Sequence, residues 1–200
     1  IYIKQIYGYK TLTKIKKQIN MKKLLLVLVT TFFLSSCDRD GQIFAGKDQL
    51  PPETQTGANT VGCLVNGKVF LPKKEGINPE VNCFYQLVKG EYFFTMAFSD
   101  LRGIDGKTVS VQTSRINLAL GQVYILNKNP LDNADYTGGG GTFRQNYANK
   151  FYTSTIKTGE LKIIKLDPVN SIISGTFWFD AENATGEKVE IRQGRFDWRY

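Results

Sequence analysis

The chain has 200 residues and no histidine. That absence removes Ser-His-Asp and Cys-His catalysis, imidazole-bound zinc and a switch titrating near neutral pH. An enzyme built on this chain must work with carboxylates, lysine or tyrosine. The acids that stand near aromatics are Asp100, Asp180, Glu182 and Asp197. A glycosidase needs two carboxyl groups at a set separation, and the commoner role of such residues is surface charge at strand ends. Cysteine is scarce, with three residues. Two cysteines beyond Cys37 and no histidine fall short of a four-ligand zinc set, so no metal is expected, and no cofactor either. Long hydrophobic runs are missing too. The apolar run from Leu24 to Leu34 has 11 residues, against the roughly 20 that a membrane-spanning helix needs.

What is present begins with that run. Met21 to Cys37 reads MKKLLLVLVTTFFLSSC, which is the order of a bacterial lipoprotein signal. Lys22 and Lys23 form a positive start, the apolar stretch follows, and the small residues Ser35 and Ser36 expose the bond before Cys37 to a peptidase. The bland alternative is a buried helix with an ordinary cysteine. On the signal reading Cys37 is the lipid-attachment residue, and the membrane is reached through that lipid alone. Residues 1–20 begin with Ile1 and hold five lysines and no acid. They read as an overextended start ahead of Met21, or as a long positive region of the same signal.

Removing residues 1–36 changes the electrostatics. The whole chain carries a formal charge of +8. Seven lysines and no acid lie before Cys37, which leaves 19 basic against 18 acidic residues after it. Charges of both signs are interspersed there, without the clustered basic surface of a nucleic-acid binder. No nucleic acid is expected as a partner.

Residues 37–60 are polar and contain Pro51-Pro52, which reads as a lipidated cysteine followed by a flexible tether. Asp38 and Asp40 directly after Cys37 fit either a surface-export signal or an ordinary polar linker. Asp38-Arg39-Asp40-Gly41 lacks the further acids of a calcium loop.

Residues 61–200 read as a single β domain. Asn66-Gly67 between Gly62–Val65 and Lys68–Leu71 predicts a type I′ hairpin. Cys83–Val88 and Tyr92–Phe98 follow around a Lys89-Gly90-Glu91 turn, and the latter is apolar on both faces, as in a central strand. Further strands are expected at 108–113, 122–126, 150–156, 160–166, 171–179, 187–193 and 195–200, the last four as a meander. The stripe of Phe196, Trp198 and Tyr200 reads as core. No helical period appears beyond residue 36, although 127–149 leaves room for a short helix. The expected fold is an all-β antiparallel sandwich or barrel of about nine or ten strands.

Thr56 to Phe70, TGANTVGCLVNGKVF, resembles the start of an uncharacterised lipoprotein domain family of Bacteroidota, as do Ile173–Phe177 and Gly194–Asp197. The family more often has an aromatic at the place of Val61 and a Trp at that of Phe70. The resemblance implies an envelope address and this fold class, and no activity.

Three smaller features complete the reading. Cys63 and Cys83 form an even pair in an oxidising compartment, which suggests a disulfide closing a loop of about 20 residues; the alternative is two buried thiols acting as small hydrophobes. Gly138–Gly141 lacks the Lys-Ser/Thr of a phosphate loop and reads as a mobile loop. Trp178, opposite Phe177 and Phe179, is a candidate stacking platform for a sugar or a core residue of a two-sided strand. The preferred function is a non-enzymatic binding module, lipid-anchored at the outer membrane and facing periplasm or cell surface. A histidine-free glycan hydrolase and a purely structural envelope protein are the alternatives.

Overall fold

Asn66 and Gly67 take φ angles of 48° and 76°, the left-handed pair that a type I′ turn requires. They fold β1 (Thr60–Val65) back onto β2 (Lys68–Phe70). Lys89 and Gly90, with φ of 51° and 86°, do the same between β3 (Val81–Val88) and β4 (Glu91–Asp100). The computed structural model describes residues 49–131 and 136–200. The expected signal, Cys37 and residues 38–48 lie outside the described residues.

The remaining strands are β5 (Lys107–Ser114), β6 (Val123–Lys128), β7 (Gly138–Arg144), β8 (Lys150–Tyr152), β9 (Gly159–Asp167), β10 (Ile172–Glu182) and β11 (Lys188–Arg199). They form one sheet in the order β2-β1-β11-β10-β9-β6-β7-β5-β4-β3, with β8 paired to β7 and β10. The all-β expectation holds, with 11 strands rather than nine or ten. Among the described residues there is no helix. The sheet is mixed: β7 lies between β6 and β5, parallel to the first and antiparallel to the second.

The sheet folds over so that β4 faces β10 and β11. Phe94 meets Phe196 at 5.7 Å between ring centroids, Phe98 meets Phe177 at 6.4 Å, and Phe70 meets Phe98 at 5.6 Å. Each ring is buried, and burying one stabilises the fold by about 1.5–3 kcal/mol before strain is counted. Beyond β2, Lys73 bridges β4: its N–H donates to Ser99 O at 2.9 Å, and Leu101 N–H donates to Lys73 O at 2.8 Å. That contact ties the β2 edge to the other layer.

Two expected strands, 187–193 and 195–200, are a single strand. β11 keeps pairing with β10 through a bulge, where Phe177 faces Gly194 and Phe179 faces Ile191. The extra residue shifts the alternation. Val189 and Ile191 point inward before it, and Phe196 is buried after it, with Trp198 and Tyr200 packed against the core. Gly194 sits where a Cβ would lie 2.4 Å from the Phe177 ring.

The glycine run also departs from expectation. Gly138–Arg144 is β7, an interior strand paired with β5, β6 and β8. A Cβ on Gly139 would come 2.8 Å from Ile125 O, one on Gly140 2.6 Å from Lys128 O, and one on Gly141 2.7 Å from the Phe179 ring. The run is glycine because β6 and Phe179 press directly on this backbone. The strand expected over 150–156 is cut to Lys150–Tyr152.

The described end of the expected tether is bound to the domain. Pro51 and Gly57 are buried, and the segment lies on Asp197 of β11. The reason is a shortage of donors beneath it: Asp197, pointing away from the core, needs partners, and the backbone of 56–58 supplies them.

The two thiols are free, which corrects the expected disulfide. Cys63 stands opposite Phe70 on β1, and Cys83 opposite Met96 on β3. Each fills a slot in or against the core as a small hydrophobe. Burial disfavours the thiolate that disulfide chemistry needs: it pushes Cys83 up to about 12 and Cys63 higher still.

Candidate functional site

Strand pairing brings four connections to one end of the sheet: the β1–β2 turn, the β4–β5 loop, the β7–β8 turn and the β10–β11 turn. They enclose two adjoining clefts, of about 810 and about 710 Å³. Both are lined by Asn149 and Glu187, so they form a single mouth with two halves. Mouths of β-barrels and the loops around them are common places for ligand sites.

The first half is polar and mostly uncharged. Its wall is an amide network. Asn183 Nδ2 donates to Asn149 Oδ1 at 2.7 Å and to Glu187 Oε2 at 2.6 Å. Asn149 Nδ2 donates to Gln145 Oε1 at 3.1 Å and to Glu187 Oε2 at 3.3 Å. Asn183 Oδ1 also accepts from the N–H groups of Thr185 and Glu187, which fixes the β10–β11 turn. Asn146 does the same for its own turn, accepting from Ala148 and Asn149 N–H. Tyr147 projects from that turn and is 77% exposed. The Arg144 guanidinium lies 5.7 Å from its ring centroid and supports it by a cation–π contact. Glu182 lines the same cleft and pairs with Lys157 at 4.0 Å.

The second half is basic. Lys68, Lys73, Arg102, Lys107 and Lys188 line it, against the acids Asp100 and Glu187. Asp100 is matched by Arg102, whose two nitrogens reach its oxygens at 2.9 and 2.8 Å; that guanidinium holds the Asp100 carboxyl below its usual range. Phe70, Phe143 and Phe151 also line this half, packed together at 6.4 and 5.8 Å and buried.

The residues singled out from sequence are scattered. Of the four acids, Asp100 and Glu182 lie in different halves of the mouth. Asp180 lies on the outer face of β10, ion-paired with Arg192 at 2.6 Å. Asp197 is 1% exposed and holds residues 54–58 across β11 as a strap. Its carboxylate accepts from Ser174 Oγ at 2.6 Å, Thr54 Oγ1 at 2.7 Å, and the N–H groups of Thr56, Gly57 and Ala58 at 2.8, 2.8 and 3.1 Å. Burial alone would raise its pKa, but those hydrogen bonds outweigh it and hold the group well below the carboxylate range. Such a carboxylate is a structural clamp, not an acid catalyst.

Trp178 points outward from β10 and is 36% exposed, so of the two readings, platform or core residue, it is not core. Its indole N–H donates to Glu160 Oε2 at 3.3 Å, and the Arg192 guanidinium lies 5.5 Å from its ring. It stands on the outer sheet face rather than in the mouth. The aromatic that projects into the solvent beside the cleft, Tyr147, was not singled out, nor were Asn149, Asn183, Glu187 and Lys188. The signal available for them was the turn chemistry of Asn146 and Asn183, which fixes a turn without saying which other turns it meets.

Residues 98–197 match a family described as Domain of unknown function (DUF6252). The match runs from the end of β4 to the clamp residue Asp197 and takes in three of the four connections around the mouth. No curated protein and no solved structure matches the chain.

Proposed function

The chain belongs to the DUF6252 family, which brings no activity with it, and from that premise we propose a non-enzymatic binding module, held to the cell envelope by lipid on Cys37. The observation that carries the binding role is the mouth: two adjoining clefts with a pre-arranged amide wall and an exposed, supported aromatic. A wall whose hydrogen bonds are already formed is organised before any ligand arrives, which lowers the ordering cost of binding. The lipid anchor is supported by the sequence from Met21 to Cys37, and the address we propose for it is the outer membrane.

The anchor is tested by fatty-acid labelling with and without globomycin. Labelled chain that is lost on Cys37→Ala supports it, and unchanged labelling of that variant removes it. The binding role is tested by cross-linking and pull-down from intact cells, wild type against Tyr147→Ala. A partner that comes down with the wild type only is the expected result; no partner at all would leave a structural envelope protein as the better reading.

One observation favours a second reading, the histidine-free glycan hydrolase. Glu182, one of the acids singled out from sequence, lines the same cleft as Glu187, which was not. Glu187 is already oriented by two amides. Turnover of any oligosaccharide that disappears in Glu182→Gln and Glu187→Gln alike would replace the binding reading with this one.

A further inference from the structure

Building on the binding-module reading, we infer that the mouth takes an acidic oligosaccharide, its hydroxyls read by the amide half and its negative groups by the basic half. Three observations meet here. The N–H groups of Asn149 and Asn183 are spent within the wall, which leaves acceptor oxygens on Asn149, Gln145 and Glu187 to which adjacent sugar hydroxyls can donate. Asn149 and Asn183 are cross-linked to Glu187, so their amide planes are fixed. Tyr147 supplies a flat apolar surface, 77% exposed, of the kind on which the C–H face of a pyranose rests. The guanidinium of Arg144 near this ring holds it in place.

The third observation is charge. The basic half gathers five cationic side chains against two acids, and with Arg102 and Asp100 paired to each other, four lysines face Glu187. The chain beyond Cys37 is otherwise nearly neutral, so this concentration is local. It adjoins the amide half through Asn149 and Glu187, which makes a continuous track rather than two sites. A neutral sugar would leave the lysines solvated and unused; an inorganic anion would leave the amides and Tyr147 without a role. A chain of sugar rings carrying carboxylate or sulfate groups uses both halves.

The experiment is titration calorimetry on the full chain from Cys37 onward, with Cys37→Ser so that no lipid is needed. The probes are hexagalacturonate, a sulfated hexasaccharide, uncharged cellohexaose and a single-stranded hexanucleotide. The expected result is binding of at least one acidic hexasaccharide, at least tenfold tighter than cellohexaose, with the margin shrinking as salt rises. Tyr147→Ala should weaken it about tenfold, or about 1.4 kcal/mol. Lys107→Gln with Lys188→Gln should remove most of the preference over cellohexaose, and Trp178→Ala should change nothing. All four positions are at the surface, and circular dichroism confirms that each variant is folded. Equal binding of cellohexaose, tighter binding of the hexanucleotide, or acidic binding untouched by the mouth variants overturns the inference. If no hexasaccharide binds while the intact-cell pull-down still yields a Tyr147-dependent partner, this inference falls and the binding module stands. If both are empty, both fall.

Discussion

Replacing Asp197 with asparagine tests the strap directly, because it keeps the shape and removes the charge. The carboxylate takes two hydrogen bonds on Oδ1, from Ser174 Oγ and Gly57 N–H. Oδ2 takes three of 3.1 Å or less, from Thr54 Oγ1 and the N–H groups of Thr56 and Ala58. Asparagine has a single acceptor oxygen. Its better placement puts the oxygen at Oδ2 and the NH₂ at Oδ1, where it faces a backbone donor that cannot turn away. Ser174 can rotate its hydroxyl and accept; Gly57 N–H cannot. A buried unsatisfied donor costs about 1–3 kcal/mol, and charged hydrogen bonds contribute about 1.5–3 kcal/mol each against 0.5–1.5 for neutral ones. Allowing for strap relaxation, the loss is about 3–4 kcal/mol, a large fraction of the 5–15 kcal/mol typical of a domain. For a domain near 150 residues that is about 10 °C in melting temperature. Urea and thermal unfolding measure it, and limited proteolysis reports whether 50–58 detaches. The sign with pH is fixed by the depressed folded pKa. The contribution is fully present above the unfolded value of about 3.9 and is lost as pH falls below it toward the folded value. The gap between wild type and Asp197→Asn should therefore be constant from pH 6 to 8 and narrow below about pH 4. A change under 0.5 kcal/mol at pH 7, or a gap that widens in acid, refutes the clamp.

The free thiols predict an intact mass, without reductant, that is unchanged by reduction; a mass two hydrogens lighter before reduction would restore the disulfide. At pH 8 a thiol probe should label Cys63 and Cys83 slowly in the native protein and fast in urea, since burial holds both pKa values far above that pH. Gly140→Ala should destabilise by about 1–3 kcal/mol, because its Cβ would sit 2.6 Å from the backbone oxygen of Lys128; a melting temperature equal to wild type would show that β6 and β7 are not pressed together. Trp178→Ala, on the outer face, should cost less than Gly140→Ala in the same melt.

Strands were legible where alternation and turn chemistry agree. Asn66-Gly67 and Lys89-Gly90 mark hairpins by local residues alone, and the inward face at the start of β11, Val189 and Ile191, follows from spacing. Failures came where a distant segment decides. Asp197 alternates outward with Arg199 on β11, and by pattern it is a surface charge; it is buried because residues 54–58, some 140 positions earlier in sequence, lie across it. Gly138–Gly141 carries the local signal of a loop, yet it forms an interior strand because β6 and the Phe179 ring leave no space for a side chain. The bulge at Gln193-Gly194 split one strand into two in the reading, since the switch from odd to even inward positions is also what a turn produces.

The mouth escaped the reading for the same reason, on a larger scale. Each connection is polar and unremarkable by itself: Asn66-Gly67, the loop after Asp100, the Asn146 turn, the Asn183 turn. Their meeting depends on strand order, in which β1 joins β11 and β5 joins β7, pairings between segments far apart in sequence. Once β11 lies between β1 and β10, the Asn66 turn must come beside the start of β11, as Glu190 N–H donating to Asn66 Oδ1 at 2.8 Å shows. Once β8 pairs with β7 and touches β10 at Glu182, the Asn146 and Asn183 turns must meet, and Asn149 and Glu187 bond across them. The strap on Asp197 lies near the far end of β11, nine residues from Lys188 and so roughly 30 Å along the strand. The strap and the mouth thereby sit at opposite ends of the strand, and loosening the strap should leave the mouth's amide network in place.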